Sequence, residues 1–138
     1  MAIRGRIPRG WLGVVLDAPD ARSLAHFYSE MLGWPLADDE PDWCTIQMPD
    51  LPVNLAFQTE KAYVVPTWPS DPTHQQMQLH LDLEVDDLVG AVEDAVALGA
   101  REAEFQPQHN VRVMLDPAGH PFCLYDNDLP EPGLPTSS

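Results

Sequence analysis

Hydrophobic and polar positions follow two periods along this chain, first that of a strand and then that of a helix, and the pair occurs twice. Gly13-Val14-Val15-Leu16-Asp17-Ala18-Pro19-Asp20 can be laid on His80-Leu81-Asp82-Leu83-Glu84-Val85-Asp86-Asp87, and each reads as a strand running into an acidic helix start. After the first segment, Leu24, Phe27, Tyr28, Met31 and Leu32 fall at i, i+3, i+4, i+7 and i+8, which predicts one apolar stripe on a helix from Ala21 to Leu32. After the second, Leu88, Ala91, Val92, Ala95 and Val96 do the same on a helix from Leu88 to Leu98. Gly33 and Gly99 stand where a left-handed residue closes a helix. Asp20 and either Asp86 or Asp87 stand where a short carboxylate accepts the free N–H groups of the first turn.

Each helix leads into three short strand-like runs. They are Trp34 to Ala37, Trp43 to Met48 and Val53 to Gln58 in the first half, then Arg101 to Gln106, Val111 to Leu115 and Phe122 to Tyr125 in the second. Pro49-Asp50-Leu51-Pro52 and Asp116-Pro117-Ala118-Gly119-His120-Pro121 are turns at matching places. The order is therefore β-α-β-β-β twice. Between the halves, Ala62 to Gln76 carries Pro66, Pro69 and Pro72, whose missing N–H groups keep it out of the middle of a sheet, and it reads as a crossover arm. Met1 to Gly10 and Leu129 to Ser138 read as tails.

Leu79, Leu81, Leu83 and Val85 alternate with Gln78, His80, Asp82 and Glu84, so that strand has one oily and one ionisable face. Val53, Leu55 and Phe57 against Asn54, Ala56 and Gln58 repeat the pattern, as do Phe122 and Leu124 against Cys123 and Tyr125. With the oily faces under the helices, the polar sets are placed to line a common cup.

Composition narrows the function classes. A chain of 138 residues, 44% of them hydrophobic, suits a single domain: a first module at about 11–60, the connection at 62–76, a second module at about 77–126 and a tail at 129–138. A formal charge of −15 with only seven Lys and Arg argues against nucleic acid and anionic membranes as partners. Trp11 to Leu16 is too short for a signal sequence, and no apolar run approaches the length of a membrane span. Cys44 and Cys123 lack CxxC spacing, so a reduced, cytoplasmic setting is expected. Gly-rich phosphate loops and nucleophile elbows are missing from the sequence.

The segments Asp20-Ala21-Arg22-Ser23-Leu24-Ala25-His26-Phe27-Tyr28, Met31-Leu32-Gly33-Trp34, His80 to Leu88 and Asp116-Pro117-Ala118-Gly119-His120-Pro121-Phe122 together resemble the vicinal oxygen chelate superfamily of glyoxalases, bleomycin-resistance proteins and extradiol dioxygenases. The resemblance covers roughly Trp11 to Tyr125 and is nearest to glyoxalase-like proteins of unassigned reaction. It implies an α+β fold in which two tandem β-α-β-β-β modules form an open, curled mixed sheet around a cup, and it implies a homodimer. In metal-dependent members the ligands come from the first and last strands of each module, which carries over here to Gly13, Asn54, His80 and Cys123. Gly13 has no side chain, Asn54 is a neutral oxygen donor, and Cys123 stands where a carboxylate would suit iron, nickel or manganese.

The expected ligand pocket is accordingly Gly13, Asn54, His80, Asp82, Cys123 and Tyr125, with His80 as the weak metal candidate and no catalytic residue assigned. Asp82 and Glu84, two apart on one face, have the spacing of an acid and base pair and equally that of a solvated strand. His120 reads as a turn residue, His26 as half exposed beside its stripe, and His74 and His109 as loop residues; Trp43 and Tyr125 suit an aromatic lining, and Trp68 a core or interface. The function expected is binding of a small organic molecule without a conserved catalytic metal. The alternative is a divalent-metal-dependent lyase, isomerase or dioxygenase using His80 with Cys123 or Asp82. A third reading is a module that serves only in assembly or regulation.

Overall fold

In the computed structural model, which describes Ile3, Arg4 and residues 10–130, the elements run β1 (Leu12–Ala18), α1 (Ala21–Leu32), β2 (Leu36–Glu40), β3 (Trp43–Gln47), β4 (Val53–Thr59), β5 (Leu81–Glu84), α2 (Leu88–Leu98), β6 (Arg101–Glu102), β7 (Val111–Leu115) and β8 (Pro121–Tyr125). The β-α-β-β-β order appears twice, and the chain divides into two compact units at Tyr63 and Val64. Each unit has its own four-stranded mixed sheet, ordered β1-β4-β3-β2 in the first and β5-β8-β7-β6 in the second. In both, the first and last strands of the module run parallel at one edge and the remaining pairs are antiparallel. Most of the tails predicted at residues 1–10 and 129–138 lies outside the described residues.

The first unit is held by α1 lying on its sheet. Leu24, Ala25, Phe27 and Tyr28 are buried against Ile46, Leu55 and Phe57, and Tyr28 stacks on Phe57 with ring centroids 5.6 Å apart. Asp20 caps the helix, accepting from Ser23 N–H at 3.4 Å and from Ser23 Oγ at 2.9 Å, and Gly33 closes it at φ 72°. Strand β2 begins later than its hydrophobic run suggested and continues through three acidic residues, Asp38, Asp39 and Glu40. Pro35 lacks an N–H for the ladder and Ser29 Oγ donates to the Trp34 carbonyl, so the first two residues of that run belong to the helix exit. As an outer strand, β2 tolerates carboxylates, which also discourage pairing with another chain. Arg22 Nε at 3.0 Å and His26 Nε2 at 3.2 Å hold Asp39 Oδ1, fastening α1 to that edge.

The second unit repeats the plan more loosely. Asp87, rather than Asp86, is the N-cap of α2, accepting from Gly90 N–H at 3.0 Å, and Gly99 ends the helix at φ 122°, positive but outside the left-handed helical region. Only Leu88 and Ala95 of α2 are buried. Strand β6 is two residues long where a run to Gln106 was predicted. There Gln106 turns its side chain onto β7: its Nε2 donates to the carbonyls of Ala103 and Val113 at 2.8 and 2.9 Å, and its Oε1 accepts from Val113 N–H at 2.8 Å. A side-chain amide thus takes the place of ladder bonds that a longer strand would make. Leu79 precedes β5 and is 59% exposed, so the oily face of that strand starts at Leu81. The Asp116 turn is closed by its buried carboxylate, which accepts from Ala118 and His120 N–H and meets His120 Nδ1 at 2.8 Å; His120 is a turn residue, as its sequence position suggested. Trp68, which follows Pro66 in the connection, donates Nε1–H to the Phe105 carbonyl at 3.0 Å.

Candidate functional site

The side chains with chemistry to offer gather on one face of the second sheet. Parallel pairing sets Asp82 opposite Cys123 and Glu84 opposite Tyr125, and antiparallel pairing adds Val113 and Val111 to the same two rows. Because side chains alternate across a sheet, these residues share the face that Phe122 and Leu124, both buried, do not occupy. His80 lies one residue before β5 and brings Nε2 to 3.1 Å from Asp82 Oδ1. One donor atom each from His80, Asp82 and Cys123 lies within 4.8 Å of the other two.

These groups line a concavity of about 350 Å³ that also includes Tyr125, Gln108, Asn110 and Asn127. The volume is at the small end of ligand pockets. Burial, and after it the charge and the hydrogen bond of Asp82, push the Cys123 thiol up to about 11. It is therefore a protonated donor at neutral pH and not a nucleophile. Asn127 Nδ2 donates to Glu84 Oε2 at 3.4 Å, extending the polar surface past the strand end. The concavity is thus polar, lined by one carboxylate, Asp82, three side-chain amides that can donate and accept, and the phenol ring of Tyr125.

Four of the six predicted pocket residues, His80, Asp82, Cys123 and Tyr125, meet here. Gly13 and Asn54 belong to the first unit, where they face each other across β1 and β4. The carboxamide oxygen of Asn54 occupies the space that a Cβ on residue 13 would take. Trp43 stands on β3 of that unit opposite Gln58, and Trp68 packs against Phe105. Gln108, Asn110 and Asn127 had no sequence signal as loop residues, although Asn127 continues by two the alternation of Cys123 and Tyr125.

The metal positions carried over from the superfamily do not fit a chelate drawn from both modules. Gly13 offers no side chain, and its partner contributes one neutral oxygen that already rests on Gly13. Cys123 faces Asp82, whereas Asn54 faces Gly13, so the two carried-over last-strand residues do not stand on equivalent rungs. What remains is a local group of imidazole, carboxylate and thiol within the second module.

Comparison with known proteins agrees with this architecture. A glyoxalase-like domain model matches residues 13–125. A glyoxalase/bleomycin resistance protein/dioxygenase family enzyme from Burkholderia phytofirmans PsJN superposes with a TM-score of 0.63 at 15% identity, covering 83% of this chain and 95% of its own. An antibiotic-binding protein from a Streptomyces species gives 0.55 at 20% identity, covering 91% and 98%. The bleomycin-binding protein of Streptomyces verticillus, in complex with copper(II)-bleomycin, gives 0.53 at 16%, covering 86% and 96%. At these identities the likeness is one of fold. No curated protein matches the chain in sequence. With two β-α-β-β-β modules and a family match over residues 13–125, the protein belongs to the glyoxalase-like domain family.

Proposed function

We propose that the protein binds a small organic molecule in the concavity over β5 and β8, and that it needs no metal to do so. The observation that carries this reading is the convergence of Asp82, His80, Cys123 and Tyr125 on one hollow of about 350 Å³, in a family whose structural relatives include an antibiotic-binding protein and a bleomycin-binding protein. The carboxylate of Asp82 favours a ligand that donates hydrogen bonds, the amides of Asn110 and Asn127 suit one with both donors and acceptors, and Tyr125 favours one with a flat face. Residues 1–138 act as one functional domain on this reading, with modules at about 11–60 and 77–126, which the family match over 13–125 supports. A cytoplasmic setting and pairing of two copies complete the proposal. No described helix is long and apolar enough to cross a membrane.

A thermal-shift screen of metabolites and drugs on chelator-treated protein tests it. Hits are expected to stabilise the wild type and to lose that effect in Asp82→Ala and Tyr125→Ala. Stabilisation that appears only with added metal, or survives both substitutions, would overturn it. Light scattering at several concentrations tests the pairing.

The second reading is a divalent-metal enzyme of the lyase, isomerase or dioxygenase type, favoured by the single observation that three potential donor atoms lie within 4.8 Å of one another. His80, Asp82 and Cys123 suit a borderline ion such as zinc, which would supply Lewis acidity. Cobalt(II) titration followed by absorbance decides: a thiolate band lost in Cys123→Ser and His80→Ala supports it, and no band sinks it.

A further inference from the structure

The second module has another hollow, on the opposite face of the same sheet. Arg112 stands opposite Leu124, on the face covered by α2, whereas Val111 and Val113 stand opposite Tyr125 and Cys123 on the face of the concavity described above. Between the start of α2 and that face opens a cleft of about 520 Å³ with an apolar floor of Leu88, Val89, Val92 and Leu129. The cause lies in the sequence of the helix. Where α1 fills its contact with Leu24, Phe27 and Tyr28, the first turns of α2 carry Gly90 and Ala91, and the helix buries only Leu88 and Ala95. Too little side-chain volume is supplied to close the helix onto the sheet, and Val89 is left 72% exposed.

The rim of this cleft is one-sided in charge. Asp86, Glu93, Glu102 and Asp126 surround it, together with Asp87, whose carboxylate is engaged as the N-cap of α2. The single cation there, Arg112, is already committed: its Nε is 3.5 Å from Glu102 Oε1, and its Nη1 donates to the carbonyls of Gln108, His109 and Val111. An apolar floor rimmed by polar groups is the form of a binding surface, and the excess of carboxylates selects the sign of what it holds. We infer that this cleft is a second small-molecule site, which takes an organic cation with a hydrocarbon body, its tail against Leu88, Val89 and Val92 and its charge toward Glu93 and Asp126.

The test is a methyl-resolved NMR titration of the whole chain with octyltrimethylammonium below its micellar concentration, with octyl sulfate as the anionic counterpart. Saturable shifts at Leu88, Val89 and Val92 are expected with the ammonium and not with the sulfate. Glu93→Gln with Asp126→Asn should weaken binding about fivefold, and Val92→Phe, which fills the floor, should weaken it at least as much. Glu30→Gln with Asp42→Asn, which removes two exposed carboxylates of the first module, should leave it unchanged. Equal loss in that control, or equal binding of the sulfate, would reduce the effect to general charge attraction and overturn the site. Cleft methyl shifts that track protein concentration without probe would give the cleft to a second copy, and binding that emerges only after residues 131–138 are removed would give it to the chain itself; either result overturns the inference. If Val92→Phe fails to fold by circular dichroism, the two charge variants decide.

Discussion

Cys123 shows how one neighbour sets the chemistry of a side chain. Burial is the larger cause of its raised pKa and Asp82 the second, so the thiol, whose ordinary value is 9.0, titrates at about 11 in the fold. At pH 8 its alkylation is expected to run about a hundredfold slower than that of an unperturbed thiol. Asp82→Asn should speed it severalfold without restoring the full rate, since the burial remains. Site-resolved mass spectrometry checks this, and an unchanged rate in Asp82→Asn would contradict the pairing. The sign for stability follows from the same shift. The native state holds the proton more tightly than the unfolded chain, so this contribution is present below pH 9 and is lost as pH rises through about 11. Denaturant melts in Cys123→Ser should show a shallower loss across that window.

At the scale of elements, two short side chains and one amide carry much of the local definition. Asp20 and Asp87 each satisfy N–H groups of a first helical turn, and replacing either by Ala should cost about 1 kcal/mol in a chemical denaturation experiment. Both positions were legible from an Asp at the start of a helical stripe, although the choice between Asp86 and Asp87 required the backbone. Gln106 is different. Its three hydrogen bonds to Ala103 and Val113 stand in for strand pairing, so Gln106→Ala should cost about 2 kcal/mol and raise hydrogen exchange at Val113. A change below about 0.5 kcal/mol would show that water replaces the amide without loss. Nothing in the alternation of residues 101–106 distinguished this from a continuous strand, because a side chain that imitates backbone leaves no periodic trace. Strand β2 was mistimed for a related reason: an outer strand with exposed acids has no hydrophobic rhythm to read.

At the scale of the molecule, the duplication was readable because it rests on features that repeat along the chain: a strand alternating in polarity, an Asp cap, a helical stripe and a closing Gly. The candidate site was readable to the extent that it lies on strands. His80, Asp82, Cys123 and Tyr125 were named from alternation and resemblance, and strand pairing brings them to one hollow. Gln108, Asn110 and Asn127 come from loops and from a strand exit, where position depends on tertiary closure. Residues that the resemblance carried over together also differ in use: Gly13 and Asn54 are each other's neighbours in the first module, and their packing leaves one neutral oxygen as the only side-chain donor at those two positions. On that basis chelator treatment should change neither the melting temperature nor the binding of an organic ligand, as differential scanning fluorimetry before and after dialysis would show.

The central claim, an organic ligand held over β5 and β8 without metal, is tested most directly by backbone amide NMR of the chelator-treated protein titrated with a hit from the thermal-shift screen. Saturable shifts clustered at residues 80–84, 108–111 and 123–127 are the predicted result. Shifts confined to the first module, or appearing only after a divalent ion is added, would contradict it.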